Sequence, residues 1–250
     1  MEELAGRKAL VTGGARGIGR AIAELFIARG ASVVIADING EEAAATAEAI
    51  GAHAVTCDVT DSGQVAAAVA ATVDTLGGLD VLVNNAGIEI VKPLLEQTED
   101  EFRRLMDINV TGVFLGMKHA LAPLAESKGT IVNLASVAGI NGSPLLGSYC
   151  ASKAGVIQLT RVAALELRDA GIRVNCVCPA FVDTAMVDRA GVAVEAALGA
   201  SFADLVAAKQ GRLGTVAEVA ETAAFLASDR AGWTTGSSYV LDGGMTASLL

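Results

Sequence analysis

The chain has 250 residues, 52% of them hydrophobic but only 4% aromatic, so its core must be built from Ala, Val, Ile and Leu, as in a parallel sheet buried between helices. No Pro/Gly/Ser-rich linker, charge block or internal repeat divides it, which favours one continuously packed domain over residues 1–250. A formal net charge of −10 argues against nucleic acid or an anionic membrane surface as a partner.

The N-terminal MEEL is acidic where a signal peptide is basic and then apolar, so no export is expected and the cytoplasm is the expected location. Next, KALVTGGARGIGRAIAELFIARG reads as a short buried strand over 9–11, a glycine-rich turn, and a helix with Ile18, Ile22, Leu25 and Phe26 on its apolar face. Gly13, Gly17 and Gly19 leave backbone amides uncovered at the helix N-terminus, where amides and helix dipole together stabilise a pyrophosphate. A tight turn alone would also explain the glycines, but the strand before and the helix after point to a βαβ dinucleotide unit.

The second strand, SVVIAD, ends in Asp37, placed to accept from the ribose hydroxyls of NAD. A 2′-phosphate there would meet a negative charge, although Arg16 in the turn is a basic group able to reach it. Asp37 could instead cap a helix. A third strand in HAVTCDVTD ends at Asp58, and a fourth in LDVLVNNAG ends at Asn84 and Asn85. Ligands of open α/β sheets lie beyond the carboxyl ends of strands, so these polar endings outline one crevice; Asx-turns would explain any one of them singly.

DEFRRLMDINVTGVFLGMKHALAPL places Phe102, Leu105, Ile108, Val113, Leu115 and Leu121 at helical spacing, which predicts one long, mostly buried helix with Asn109 among apolar neighbours. A fifth strand, in GTIVNLASVAG, finishes at Ser136. The uncharged run 129–152 contains Asn133, Asn141 and Pro144 and does not read as a membrane span. Cys57, Cys150, Cys176 and Cys178 form no CxxC pair and no zinc-like spacing with His, so no metal is expected and the thiols should be reduced.

In SYCASKAGVIQLTRVAALELR, Tyr149 and Lys153 stand one helical turn apart on one face. A phenol that exchanges protons near pH 7 needs its pKa lowered by about three units, or roughly 4 kcal/mol. A cation about 4 Å away at an effective dielectric of 20 supplies approximately that. Ser136, at a strand end, is placed to donate to the same substrate oxygen.

The whole chain resembles the short-chain dehydrogenases/reductases. TGGARGIG matches their TGxxxGxG turn, CDV and NNAG their adenine-side and sheet-stabilising segments, and Asn109, Ser136, Tyr149 and Lys153 their catalytic tetrad. NCVCPAFVDTAM resembles the nicotinamide-holding segment, with Ala180 where Gly is usual, and TGSSYVLDGG resembles the last strand and turn. The resemblance implies an α/β single-domain Rossmann fold, a doubly wound seven-stranded parallel sheet with helices on both faces, commonly assembled as a homotetramer.

It also implies an oxidoreductase in which Tyr149 exchanges the proton, Lys153 holds the nicotinamide ribose and lowers the Tyr149 pKa, Ser136 polarises the carbonyl and Asn109 holds a relay water. The expected NAD site comprises Gly13, Arg16, Gly17, Ile18, Gly19, Asp37, Asp58, Val59, Asn85, Ala86, Gly87, Tyr149, Lys153, Pro179, Val182 and Thr184. The expected substrate pocket comprises Ser136, Ala138, Tyr149, Ala180 and Phe181, with 183–211 as a mobile substrate-binding segment. Its small aliphatic lining suits an apolar or alicyclic alcohol or ketone, and Glu89 is a candidate for a substrate hydroxyl or else a solvated loop carboxylate. Alternatives are an NADPH-dependent 3-oxoacyl-acyl-carrier-protein reductase, with Arg168 and Arg173 as a carrier patch, and a non-catalytic dinucleotide sensor. The apolar C-terminal MTASLL is expected to pack against a neighbouring subunit.

Overall fold

The computed structural model describes residues 3–247, so the C-terminal packing expected of 248–250 lies outside the described residues. Strands β1 (Lys8–Thr12), β2 (Ser32–Asp37), β3 (His53–Thr56), β4 (Val81–Asn84), β5 (Thr130–Leu134), β6 (Arg173–Pro179) and β7 (Ser238–Leu241) form one sheet, ordered β3-β2-β1-β4-β5-β6-β7. Every pairing is parallel.

The alternation of each strand sorts its side chains between two cores. Ala9, Val11, Val33, Ile35, Val81, Val83 and Val132 join one core, against α1 (Gly17–Ala28), α2 (Gly40–Ile50) and α9 (Val216–Ala227). Leu10, Val34, Leu82, Ile131, Val174 and Cys176 join the other, against α3 (Ser62–Leu76), α5 (Gly112–Ser127) and α6 (Gly147–Glu166). Burial on both faces is why the strands read as continuous apolar runs. The helices start on caps written into the sequence: Asn39 accepts from the Glu42 N–H, Asp61 from those of Gly63 and Gln64, and Thr98 and Thr215 each open a capping box with a Glu three residues on.

The long helix expected over residues 100–124 is interrupted. α4 (Glu99–Met106) gives way to one π turn, Asp107–Thr111, before α5, and the Gly112 N–H reaches back to the Asp107 carbonyl. The burial is also one-sided: Leu105 is fully buried, whereas Phe102 and Leu121 are 39% and 41% exposed. One residue inserted into the turn brings Asn109, fully buried, into the interior. No single helix among the described residues is long and apolar enough to cross a membrane.

The interior of the sheet carries one polar chain. The Asn84 amide donates to Asn133 Oδ1 at 2.9 Å, the Asn133 amide donates to Thr160 Oγ at 2.9 Å, and Thr160 donates to the Val156 carbonyl at 2.8 Å, all three residues being buried. Removing the middle member strands the Asn84 amide as a donor on one side of the gap and leaves Thr160 Oγ short of a donor on the other. Asn133→Ala is therefore expected to cost about 2–3 kcal/mol, read from the midpoint of reversible urea unfolding. A loss below about 0.5 kcal/mol would show that the chain is not a unit.

Candidate active site

β1 and β4 are neighbours although β2 and β3 come between them in sequence, so the crevice opens where the chain reverses direction across the sheet. The turn after β1 is closed from below by Asn85, whose amide donates to the Thr12 and Gly13 carbonyls at 3.0 and 2.9 Å. Thr12 Oγ accepts from the Asn85 and Ala86 N–H groups, and Thr46 Oγ donates to the Ala15 carbonyl at 2.7 Å. A Cβ on Gly13 would lie 2.8 Å from Ala86 Cα, and one on Gly19 would collide with the Gly13 carbonyl.

Gly17 is different: its φ of +57° calls for glycine, and a Cβ there would meet nothing nearer than Thr184 at 3.9 Å. The turn is tight beneath and open above, a cradle that fits the pyrophosphate of a dinucleotide. Ile18 packs, half-buried, against the core behind it.

Asp37 stands at the end of β2 as expected, its two oxygens accepting from the Ala15 N–H at 3.2 Å and the Asn39 N–H at 3.1 Å. The Arg16 guanidinium lies 3.7 Å from the Glu42 carboxylate on α2. Asp58 lies beyond β3, which ends at Thr56, and forms the Asx-turn weighed for it, accepting from the Thr60 N–H and hydroxyl at 2.9 and 2.7 Å. Val59 is buried against Gly112.

Across the crevice, Ala180 donates its N–H to the Leu241 carbonyl and has no left-handed backbone, so the methyl in place of the usual Gly is accommodated without strain. Val182 bridges to Gly214, and Thr184 caps α7 (Ala185–Leu198) by accepting from the Val187 N–H at 3.3 Å. Phe181 meets Phe202 of α8 (Phe202–Gln210) edge to face, centroids 5.0 Å apart.

Between these walls the four expected catalytic residues converge. Ser136 donates to the Pro179 carbonyl at 3.1 Å and accepts from the Ala138 N–H at 3.2 Å. Lys153, 5% exposed, donates to the Leu134 carbonyl at 2.7 Å at the end of β5. A Cβ on Gly87 would come within 3.6 Å of Lys153 Nζ and 3.2 Å of Asn109 Oδ1, so this loop too passes close over the site. Asn109 accepts from the Ile88 N–H at 2.9 Å and donates to the Ile88 carbonyl at 2.9 Å and Ser152 Oγ at 3.1 Å. Both amide protons are spent, which leaves this side chain no free donor for a water. Ser152 in turn donates to the Tyr149 carbonyl at 2.8 Å.

The electrostatics of Tyr149 correct the sequence expectation. Its phenol is pushed up to about 12 by burial, opposed by the neighbouring Ser136 hydroxyl and reinforced by the negative charge of Glu89. Lys153 Nζ lies 5.6 Å from the ring centroid and donates one of its three protons to the Leu134 carbonyl; burial, and not the charge of this neighbour, sets the direction of the phenol's shift. Lys153 itself is lowered from 10.5 to about 8, again by burial.

Residues that sequence reasoning missed include Thr12, Thr46 and Ser152, which act as fasteners, and the Leu134 carbonyl, which is backbone. Gln210 is another: buried at the end of α8, it donates to the Phe181 and Arg212 carbonyls and accepts from the Phe181 N–H, locking 183–211 to the strand-end loop. A lone Gln closing an Ala-rich helix was the available signal. Glu89 is not a solvated loop carboxylate: its side chain is only 10% exposed and accepts from Arg189 of α7 at 3.3 Å. Among the described residues no three His, Cys, Asp or Glu side chains gather as metal donors, and all four thiols are free.

Comparison with known proteins agrees with this geometry. A profile of the family described as enoyl-(acyl carrier protein) reductase matches residues 13–246. The chain is 44% identical over 255 residues to the 2,5-dichloro-2,5-cyclohexadiene-1,4-diol dehydrogenase of Sphingobium indicum, covering 99% of this chain and 100% of that one. It is 45% identical over 254 residues to the cis-4-hydroxycyclohexanecarboxylate dehydrogenase of Sinomonas cyclohexanicum, covering 98% and 99%. The crystal structure of levodione reductase superposes with a TM-score of 0.92 at 35% identity, over 98% of this chain and 99% of that.

Because Lys153 is depressed to about 8, the folded protein binds fewer protons than the unfolded chain from about pH 8 to 10.5, and this group makes stability rise with pH through that window. Below it the buried charge is a cost. Lys153→Met removes the cost, so the stability difference, variant minus parent, should be larger at pH 7 than at pH 10 by up to about 3 kcal/mol. Thermal melts at both pH values without added dinucleotide check this; a pH-independent difference would refute the buried charge.

Proposed function

Since the chain belongs to the short-chain dehydrogenase/reductase family and is an oxidoreductase of CH–OH groups that uses a nicotinamide dinucleotide, we propose that it interconverts a cyclic secondary alcohol and its ketone with NAD. The observation that carries this reading is the convergence of Tyr149, Ser136 and Lys153 at the strand ends beside the open Gly17 cradle.

The nicotinamide, when bound, supplies the partner for hydride transfer. Tyr149 is the general acid/base: a phenol held near 12 is the proton donor to a ketone oxygen at neutral pH, and alcohol oxidation, which needs the phenolate, should speed up toward alkaline pH. Ser136 presents its hydroxyl to the same oxygen. Lys153 would hold the nicotinamide ribose, and Pro179, Val182 and Thr184 would line the nicotinamide side of the crevice. Asn109 acts as a positioning residue that fixes the Ile88 backbone. The expected pocket residues Ala138, Ala180 and Phe181 are apolar, and the Sphingobium and Sinomonas relatives carry cyclohexadiene and cyclohexane rings in the names of their substrates. Both support a ring alcohol. The segment 183–211 closes this pocket.

NAD is favoured over NADP because Asp37, at the end of β2, would accept from the ribose hydroxyls, while Arg16 already neighbours Glu42. A charged hydrogen bond lost and a like charge gained cost roughly 3 kcal/mol, whereas an exposed ion pair returns under about 1. The carrier-protein alternative loses its basic patch: Arg173 donates to the Leu226 and Ser228 carbonyls at 3.0 and 3.1 Å, and Arg168 lies 3.7 Å from Asp169. The sensor alternative leaves Tyr149 and Lys153 together without a use. A homotetramer in a reducing cytoplasm completes the reading, supported by the exposed Phe114, Leu121 and Trp233 and the four free thiols.

Tyr149→Phe keeps the ring and loses the proton, so kcat should fall 10²- to 10⁴-fold while NADH binding, followed by fluorescence titration, stays intact. More than about a hundredth of the parent rate would count against the role. For the cofactor, kcat/KM should favour NAD by about ten- to a hundredfold, and Asp37→Ser should narrow or invert the preference. A parent enzyme that prefers NADP would give control of the site to Arg16.

A further inference from the structure

Glu89 is a carboxylate in the wrong solvent. Its side chain is 10% exposed, while its cationic neighbour Arg189 is 60% exposed. The only side-chain hydrogen bond to it among the described residues is the 3.3 Å contact from Arg189 Nη2 to Oε1. A bidentate pair would use both oxygens at shorter range; here Oε2 is left without a side-chain donor. Burial raises its pKa, outweighing its own backbone N–H and Arg189, which both favour the charged form.

The backbone places this group in the reaction crevice. Gly87 passes over Lys153, Ile88 is gripped at both its N–H and its carbonyl by Asn109, and Glu89 follows directly. Its negative charge is felt at the Tyr149 phenol. None of the roles assigned above to the cofactor or the proton uses it. An acceptor directly after the gripped Ile88, with a spare oxygen and an exposed arginine that can yield, is suited to a neutral hydrogen-bond donor on the substrate.

Granted the alcohol oxidation proposed above, on which this rests, we propose that Glu89 is a specificity-determining residue whose carboxylate accepts a hydrogen bond from a second hydroxyl of the substrate. The enzyme then takes ring diols and related polyols in preference to mono-alcohols, and disfavours ring alcohols that carry a carboxylate. A site built to bond a hydroxyl discriminates strongly against the analogue that lacks it, because the buried acceptor is then left unpaired.

The test is the ratio of kcat/KM for the cis and trans cyclohexane-1,2-, 1,3- and 1,4-diols to that for cyclohexanol, with butane-2,3-diol and butan-2-ol as an acyclic pair. The parent enzyme should favour at least one diol by tenfold or more. Glu89→Leu should lower that ratio at least tenfold, and Glu89→Gln, which keeps an acceptor, should lower it less. Arg189→Met, which frees the carboxylate, should raise it. A ratio unmoved within threefold by Glu89→Leu overturns the inference. So does an equal fall in Arg189→Met, which would make the pair a tether for α7, and so does a parent preference for 4-hydroxycyclohexanecarboxylate over every diol. If only the acyclic pair is oxidised, the ring reading fails and the acyclic ratio still judges Glu89. If no alcohol is oxidised, the same ratio in dissociation constants, measured by calorimetry with NADH bound, separates failure of the activity from failure of this residue.

Discussion

Because helices cover both faces of the seven-stranded sheet, a polar side chain on a strand must either find a partner inside the core or stand at a strand end. The Asn84–Asn133–Thr160 chain takes the first course, with each donor matched to a neighbour. Much of the chemistry takes the second: the glycine turn after β1, Asp37 after β2, Asn85 to Glu89 after β4, Ser136 after β5 and Pro179 to Thr184 after β6, with Tyr149 and Lys153 reaching the site from α6. Since all strands are parallel, these ends share one edge of the sheet. The site is thus where the core runs out of apolar places to hide polar groups.

Parts of this were legible from local sequence. Gly13, Gly17, Gly19 and Asp37 depend on a strand, a turn and a helix within about thirty residues, the length of one βαβ unit, so spacing alone located them. The Tyr149 and Lys153 pairing follows from one helix turn. What failed was anything set by distant chain. The direction of the Tyr149 pKa turns on burial by the elements packed around the ring and on the charge of Glu89, neither of which can be read from its own helix. The π turn at Asn109 was hidden because one extra residue barely disturbs the apolar spacing of a long helical stretch. The burial of Glu89 is created by α7, whose Arg189 lies a hundred positions further along.

The site also holds stored cost. Lys153 is an ammonium kept in the interior, and Leu145, four residues before Tyr149, adopts a φ of 67°, a left-handed backbone that a leucine rarely takes, with its carbonyl pinned by the Lys92 N–H at 2.8 Å. Such a residue costs on the order of 1–3 kcal/mol and persists only when its surroundings over-determine it. The Ala-rich helices, the capping boxes and the two apolar cores carry that load.

The strand order has a consequence during synthesis. β1 ends at Thr12 and pairs on one side with β2, but its other neighbour, β4, begins only at Val81. At about 5–20 residues per second, the apolar edge formed by Ala9, Leu10 and Val11 stays unpaired on the ribosome for several seconds. An open parallel edge is a template for another chain. The same crossover that makes room for a dinucleotide in the finished protein therefore exposes the nascent one, and the interval ends when β4 slides into place between β1 and the emerging β5.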